Sequence, residues 1–247
     1  MSLYGIKLSN DSDSATVIDT LTTYDLAMAL DGFEISEPVI RTDYKTVRGL
    51  DGVLDASEAP QGYPTFEPRT IKLRLFKSPT PYTPMKDISS LMTKRDTIMA
   101  SWQGRRVRMW LPNDSTHYWI GRITVGPLEA GEGLIPIECT VYPYKLKNSQ
   151  TTITITDLTT SFKTYSLSNE RRFVVPEITI AQNTTIQILQ GPLGTPPEVY
   201  LALPSGQSSA TFRLPDTLLM DGTVQMKAKL SASGTNSLII KYREGTF

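Results

Sequence analysis

The sequence predicts a mainly β protein with one principal α-helix: an N-terminal α+β domain followed by a C-terminal β-sandwich of the jelly-roll kind. Three observations predict it. Segments of alternating polarity recur along the chain, only one stretch repeats apolar residues at helical steps, and composition shifts near residue 148. The last 100 of the 247 residues hold 26 Ser or Thr and 15 charged side chains, whereas the first 147 hold 35 charged residues and all three tryptophans. At about 150 residues per domain this length is one large domain or two small ones. The shift favours two, residues 1–147 and 148–247, joined at Lys147 to Gln150.

In the first part, Ile71, Leu73 and Leu75 alternate with Lys72 and Arg74, which predicts a half-buried strand over about 70–77. Thr83 suits an N-cap and Pro84 the first helical position. Met85, Ile88, Leu91, Met92, Ile98, Met99 and Trp102 then recur at three- and four-residue steps, and Gly104 stops the helix. Three alternating segments follow: Val107, Met109 and Leu111; Trp119, Ile123 and Val125 around Gly121; then Ile135, Ile137, Cys139 and Val141. Turns at Pro112-Asn113-Asp114 and Ala130-Gly131-Glu132-Gly133 make an antiparallel meander of them. Between Asp31 and Arg69 the chain is rich in Gly, Pro, Asp and Glu without sustained periodicity. A loop of that length is functional or ordered by a partner, so it is expected to be an arm.

The second part shows short alternating runs at 151–156, 172–180, 184–189, 198–203, 209–214, 223–230 and 237–242. Gly191-Pro192, Asp221-Gly222 and Ser233-Gly234-Thr235 punctuate them. Many short strands so punctuated describe the sandwich.

Composition narrows the function. Apolar residues make up 39% and charged residues 20%, as in a soluble globular protein. The 25 basic and 25 acidic side chains cancel, so bulk attraction to nucleic acid or anionic lipid is not expected. The lone cysteine, Cys139, rules out an internal disulfide. No export signal is read at the N-terminus, and apolar runs such as Leu26 to Leu30 stop at five residues against the roughly 20 of a spanning helix.

Catalytic chemistry finds no foothold. His117, the only histidine, has no nucleophile motif near it and is expected to be a surface residue. Cys139 falls on the buried face of its strand, where a thiol is inert. One His and one Cys leave a zinc site short of ligands, and Asp11-Ser12-Asp13 and Asp51 to Glu58 lack calcium-loop spacing. No two acids can be assigned the opposed positions of a glycosidase pair. Catalytic, cofactor-binding and metal-binding residues are therefore all expected to be absent. Arg106, Arg108 and Trp110 share one strand face that could bind nucleic acid. With Asp96, Asp114 and Glu129 nearby as partners, a polar face or protein interface is the better reading.

The order of parts resembles a known family. The acid- and glycine-rich arm from Arg41 to Glu58 contains Gly49-Leu50-Asp51-Gly52-Val53-Leu54-Asp55, which reads G-x-D-G-x-L-D. Phe66-Glu67-Pro68-Arg69 opens a strand, Tyr118-Trp119-Ile120-Gly121-Arg122 forms another, and Tyr142-Pro143-Tyr144-Lys145 closes the domain. These motifs, over about residues 30–147, resemble the distal tail proteins of long flexible-tailed bacteriophages. The stretch from Gly234 to Gly245 resembles the last strand of the family's galectin-like second domain. Where family members often carry Pro before the first arm glycine, this chain has Arg48.

The resemblance implies a non-enzymatic structural protein of the virion tail tip, made in the host bacterial cytoplasm. Its first domains would join as a homohexameric ring, single or stacked, that connects the tail tube protein to a hub, fibre or receptor-binding protein. Gly49, Asp51, Gly52, Leu54, Asp55, Glu58, Phe66 and Arg69 are the interface candidates. No membrane and no specific nucleic acid is implied. The rival reading is a carbohydrate-binding module or adhesin. For a cell-wall saccharide the candidate contacts are Tyr165 and Tyr200, since Phe173, Phe212 and Tyr242 read as core and no tryptophan lies in the second domain. The second domain is expected to serve mainly for docking or spacing and to bind free sugars weakly or not at all.

Overall fold

The computed structural model describes residues 3–46, 52–57, 65–77, 88–169, 175–189, 198–213, 222–234 and 236–247. The protein is mainly β with one long helix, and it divides into two compact units, Met1–Lys145 and Leu146–Phe247.

Unit 1 runs β1 (Lys7–Asn10), β2 (Ile18–Asp19), α1 (Thr20–Tyr24), β3 (Leu26–Ile35), β4 (Tyr44–Lys45), β5 (Leu54–Asp55), β6 (Arg69–Lys77), α2 (Ile88–Trp102), β7 (Arg106–Trp110), β8 (His117–Val125) and β9 (Leu134–Val141). One antiparallel sheet has the order β2-β1-β7-β8-β9-β6-β3. The expected meander is β7-β8-β9, and the strand expected over 70–77 is β6, which pairs with β9 from Arg69↔Val141 to Phe76↔Leu134. Alternation decides the faces: Ile71, Leu73 and Leu75 go inward while Lys72 and Arg74 face outward.

Helix α2 closes the inner face. Its Leu91, Ile98 and Trp102 join Ile71, Leu75, Ile123 and Ile137 in one buried cluster. Gly104, at φ +70°, ends the run, since a side chain there would strain the left-handed backbone. Thr83, Pro84 and Met85 lie outside the described residues. The expected apolar set of α2 needs correction. Ile88, Met92 and Met99 are exposed, because residues at both three- and four-residue steps span more of the helix surface than the sheet covers.

The N-terminal elements were not anticipated. Asp19 caps α1 by accepting from the Leu21 amide at 2.9 Å, and Asp25 ends it at φ 52°. The arm was placed from Asp31, yet β3 continues to Ile35 through an irregularity between Met28 and Phe33 where Gly32 has φ +76°.

Strand β10 (Lys145–Lys147) starts at the last residue of unit 1, and unit 2 continues with β11 (Thr151–Ile155), β12 (Lys163–Asn169), β13 (Glu177–Ile180), β14 (Thr184–Leu189), β15 (Glu198–Leu201), β16 (Ala210–Arg213), β17 (Gly222–Leu230), β18 (Leu238–Tyr242) and β19 (Gly245–Thr246). Its two sheets have the orders β11-β18-β13-β16 and β12-β17-β14-β15. The pairs β14/β15, β13/β16, β12/β17 and β11/β18 nest like one long hairpin rolled up, which is the jelly-roll path. Ile178, Ile180, Leu238 and Ile240 of one sheet and Leu167, Ile186, Val224 and Met226 of the other share a single core. Of the expected run at 172–180, Glu177–Ile180 forms β13 while residues 172–174, with the core candidate Phe173, lie outside the described residues, and β12 was not foreseen because its polar residues outnumber its apolar ones.

Candidate assembly interface

Between β3 and β6 the chain makes an excursion, the expected arm. Its base is a ladder: Ser36 N donates to the Thr70 carbonyl at 2.9 Å, Glu67 N to the Val39 carbonyl at 2.8 Å and Arg41 N to the Thr65 carbonyl at 2.8 Å. Ile40 and Phe66 form a bridge within it. Farther out, β4 and β5 pair as Tyr44↔Asp55 and Lys45↔Leu54. Asp55 accepts from Ser57 N at 2.9 Å and from Ser57 Oγ at 2.5 Å, and these bonds hold its carboxyl below the ordinary range. Gly52 has φ +105°, a backbone that only glycine adopts without strain.

The arm is unusual in what it leaves in water. Val39, Ile40, Tyr44, Val53 and Leu54 are each about half exposed or more, Val39 reaching 60%. A two-stranded hairpin with so little buried apolar surface is marginal alone, so the contacts that order it come from its base or from a partner.

Of the interface candidates, Gly52, Leu54, Asp55 and Phe66 lie on this excursion, with Leu54 and Asp55 exposed and Phe66 half-buried at the base. Gly49, Asp51 and Glu58 lie outside the described residues. Arg69 differs from the rest because it is buried. Its Nε donates to the Ser36 carbonyl at 2.7 Å and its guanidinium lies 5.0 Å from the centre of the Trp119 ring. Burial pushes its pKa down from the ordinary arginine value, partly opposed by Glu37. Arg69 ties the base of the arm to the sheet and presents little to a neighbour.

The arginine face is an internal network. Arg106 Nε reaches Asp11 at 2.7 Å, and Arg108 reaches Asp11 at 3.1 Å and Asp13 at 2.6 Å. Arg108 also lies over Tyr118 and Arg106 over Tyr142. The partners expected from the sequence were wrong: Asp114 pairs with His117 and Lys145, Glu129 with Arg74, and Asp96 with Arg95. Proximity in sequence misled here, since the pairing of β1 with β7 brings Asp11 and Asp13, just after β1, beside Arg106 and Arg108 from about 95 residues away.

His117 is also corrected, being only 15% exposed at its side chain. Its Nδ1 lies 3.1 Å from Asp114 and 2.8 Å from the Thr116 hydroxyl. Burial alone would raise the Asp114 carboxyl, but hydrogen bonds from Lys145, Thr116 and His117 outweigh it and hold the group well below the carboxylate range. The backbone N–H groups of Thr116 and His117 also donate to Asp114, at 3.0 and 3.1 Å, so the cluster fixes the turn that leads into β8. Cys139 is buried and its thiol is pushed up to about 12 by burial, so it stays protonated. Among the described residues no three His, Cys, Asp or Glu gather to hold a metal ion. No described helix is long and apolar enough to cross a membrane.

A groove of about 660 Å³ lies against β3, β6 and β9. Arg74 sits in it, paired with Asp31 and near Glu129 and Glu132, so its charges already satisfy one another.

Tyr165 and Tyr200 occupy the two edge strands of one sheet and point to opposite sides of it. Tyr165 shares the inward parity of Leu167 and packs against the core, its hydroxyl donating to Asp157 at 2.9 Å. Burial and that carboxylate raise its pKa to about 12. Tyr200 is 55% exposed on the outer side. One saccharide cannot stack on both rings.

Comparison with known proteins now bears on this geometry. The Dit protein of phage SPP1, described as a paradigm of the hub adsorption apparatus in phages infecting Gram-positive bacteria, matches over 98% of this chain and 99% of its own. The TM-score is 0.56 and the identity 14%. The chain has a Dit-like fold. At that identity the likeness is one of fold alone, and the Dit-like path includes both units. A β-porphyranase of glycoside hydrolase family 86 from Bacteroides plebeius aligns over 86% of this chain and 38% of its own, at 12% identity and a TM-score of 0.27, too low to carry weight. No protein-family model matches the sequence. No curated protein matches it either.

Proposed function

We propose that this protein is a structural subunit of a bacteriophage tail tip, six copies of which form a ring connecting the tail tube to the host-adhesion apparatus. The observation that carries the reading is the Dit-like fold over nearly the whole length of both chains. An arm that exposes Val39, Tyr44, Val53 and Leu54 supports it, because apolar side chains clustered on one projecting element mark an association surface. Subunits that meet head to tail through two different patches close into a ring when each step rotates by 60°. Gly49, Asp51, Gly52, Leu54, Asp55, Glu58 and Phe66 belong to that surface or to its contact with the tube, and Arg69 holds its base. Unit 2 acts as a docking or spacing module.

Solution mass and negative-stain microscopy of the purified protein test this. A six-fold ring is expected. A strict monomer at high concentration, with and without tube and hub partners, overturns the proposal.

A further inference from the structure

The two sheets of unit 2 turn different outer faces to solvent. Alternation sends Ile186, Ile188, Val224, Met226 and Ala228 into the core, so Gln187 of β14, Lys227 and Lys229 of β17, and Glu198 and Tyr200 of β15 lie on the outer side of their sheet. Register sets them in rows. Thr164, Lys227, Gln187 and Glu198 follow one another across β12, β17, β14 and β15, and Tyr200 begins the next row, opposite Thr185.

On the other sheet the outer polar groups satisfy one another: the Thr179 and Thr211 hydroxyls are 2.8 Å apart and Glu177 pairs with Arg213 at 3.6 Å. The face that carries Tyr200 differs. Lys229 is engaged, lying 3.7 Å from Glu198 and over the Phe162 ring. Half-buried Lys227, half-buried Gln187 and the exposed Tyr200 have no hydrogen-bond or ionic partner among the described residues. Two lysines against one glutamate leave this face with an excess of one positive charge.

We propose that this outer face binds an acidic glycan of the host surface, one sugar ring stacking on Tyr200 and an anionic group farther along the chain meeting Lys227. A pyranose has an apolar C–H face that suits an exposed aromatic ring and a rim of hydroxyls that a side-chain amide can serve as donor and acceptor. Gln187 supplies that amide between the two ends of the site. Lys227 lies two strands and two residues from Tyr200, about 12 Å by strand geometry, so the stacked ring cannot itself reach the ammonium and the ligand has at least two rings. The unpaired positive charge selects an anionic ligand. A protein partner fits less well, because the centre of a protein interface is apolar and this centre is Lys227 and Gln187. Tyr165 takes no part, since it turns into the core. One open face binds weakly, and six copies on a ring would raise the apparent affinity for a surface by about 100-fold or more. That gain and the host-surface source rest on the ring reading, whereas the site does not.

The test is full-length protein on an array of uronic-acid, sulfated and phosphorylated oligosaccharides beside their neutral counterparts. Binding is expected on acidic glycans of two or more rings. Tyr200→Ala should weaken it about tenfold while Tyr200→Phe keeps it, because the ring and not the hydroxyl stacks. Lys227→Gln should remove both the preference for acidic glycans and the weakening of binding by added salt. Thr179→Ala, on the other sheet, should change nothing, and the melting temperature of each Tyr200 and Lys227 variant should match that of the parent. Absence of binding to every acidic glycan, equal binding to neutral ones, or binding that survives Tyr200→Ala overturns the site. Loss of a protein partner in place of a glycan on Tyr200→Ala also overturns it. A preparation of ring mass that binds no glycan leaves the ring standing, and a strict monomer that binds acidic glycans overturns the ring and leaves the site.

Discussion

Unit 1 and unit 2 are both antiparallel β, but they dispose of their apolar residues differently. Unit 2 rolls a nested hairpin onto itself, and its described surface exposes only Phe162, Val175 and Tyr200 among large apolar side chains. Unit 1 spreads its strands in one sheet that a single helix covers, and leaves the arm and one stripe of that helix exposed. A closed roll satisfies its core by itself. Unit 1 buries its core beneath α2 but leaves apolar side chains of the hairpin and the helix exposed, and such clusters mark association surfaces.

Deleting residues 41–62 strikes hardest at this contrast. Assembly should be lost completely while both units still unfold cooperatively, as read by mass photometry and calorimetry. If the shortened chain is unfolded, the arm belongs to the core of unit 1 and the contrast is wrong.

Next in size is Gly121→Ala. A Cβ there would press on the Thr140 carbonyl oxygen and lie 2.7 Å from Val141 Cγ1, since β8 and β9 approach backbone to backbone at that point. A loss of about 3 kcal/mol in the stability of unit 1 is expected from such overpacking, measured by urea unfolding, with the unfolding of residues 146–247 unchanged. Equal loss in both transitions would show the two units to be one cooperative body.

A smaller effect is expected of Arg69→Lys. The ammonium cannot both lie over Trp119 and donate from the position of Nε, so Ser36 loses its charged donor. About 1–2 kcal/mol should be lost together with part of the assembly yield, whereas a residue that only touched a neighbour would lose assembly alone.

The smallest effect lies at Asp114. Its folded pKa is depressed, so its hydrogen bonds stabilise unit 1 fully above the unfolded carboxyl value of about 4, and that stabilisation fades as pH falls toward the folded value. Asp114→Asn should therefore lower stability at pH 7 and flatten the decline below pH 4. An unchanged acid profile would show that other carboxylates control it.

The sequence made some of this legible and hid the rest for physical reasons. Strands β6 to β9 were readable because Ile71, Leu73, Leu75 and Ile135, Ile137, Cys139 alternate over enough residues to define a face. Strand β1 was not, since Lys7–Asn10 buries two adjacent residues, Leu8 and Ser9, and is too short for a period to show. Projecting Ile88, Met92 and Met99 on a helical wheel would have separated the second stripe of α2, whereas counting three- and four-residue steps merged the two.

The sequence by itself determined the mainly β character, the principal helix, the meander and the arm, because those depend on residues close together along the chain. Only the tertiary structure decided that Arg106 and Arg108 are neutralised by Asp11 and Asp13, that Arg69 is an internal tie, that Tyr165 turns inward, and that one stripe of α2 remains in water. Each of these depends on which distant strand arrives beside which, and local periodicity does not encode that.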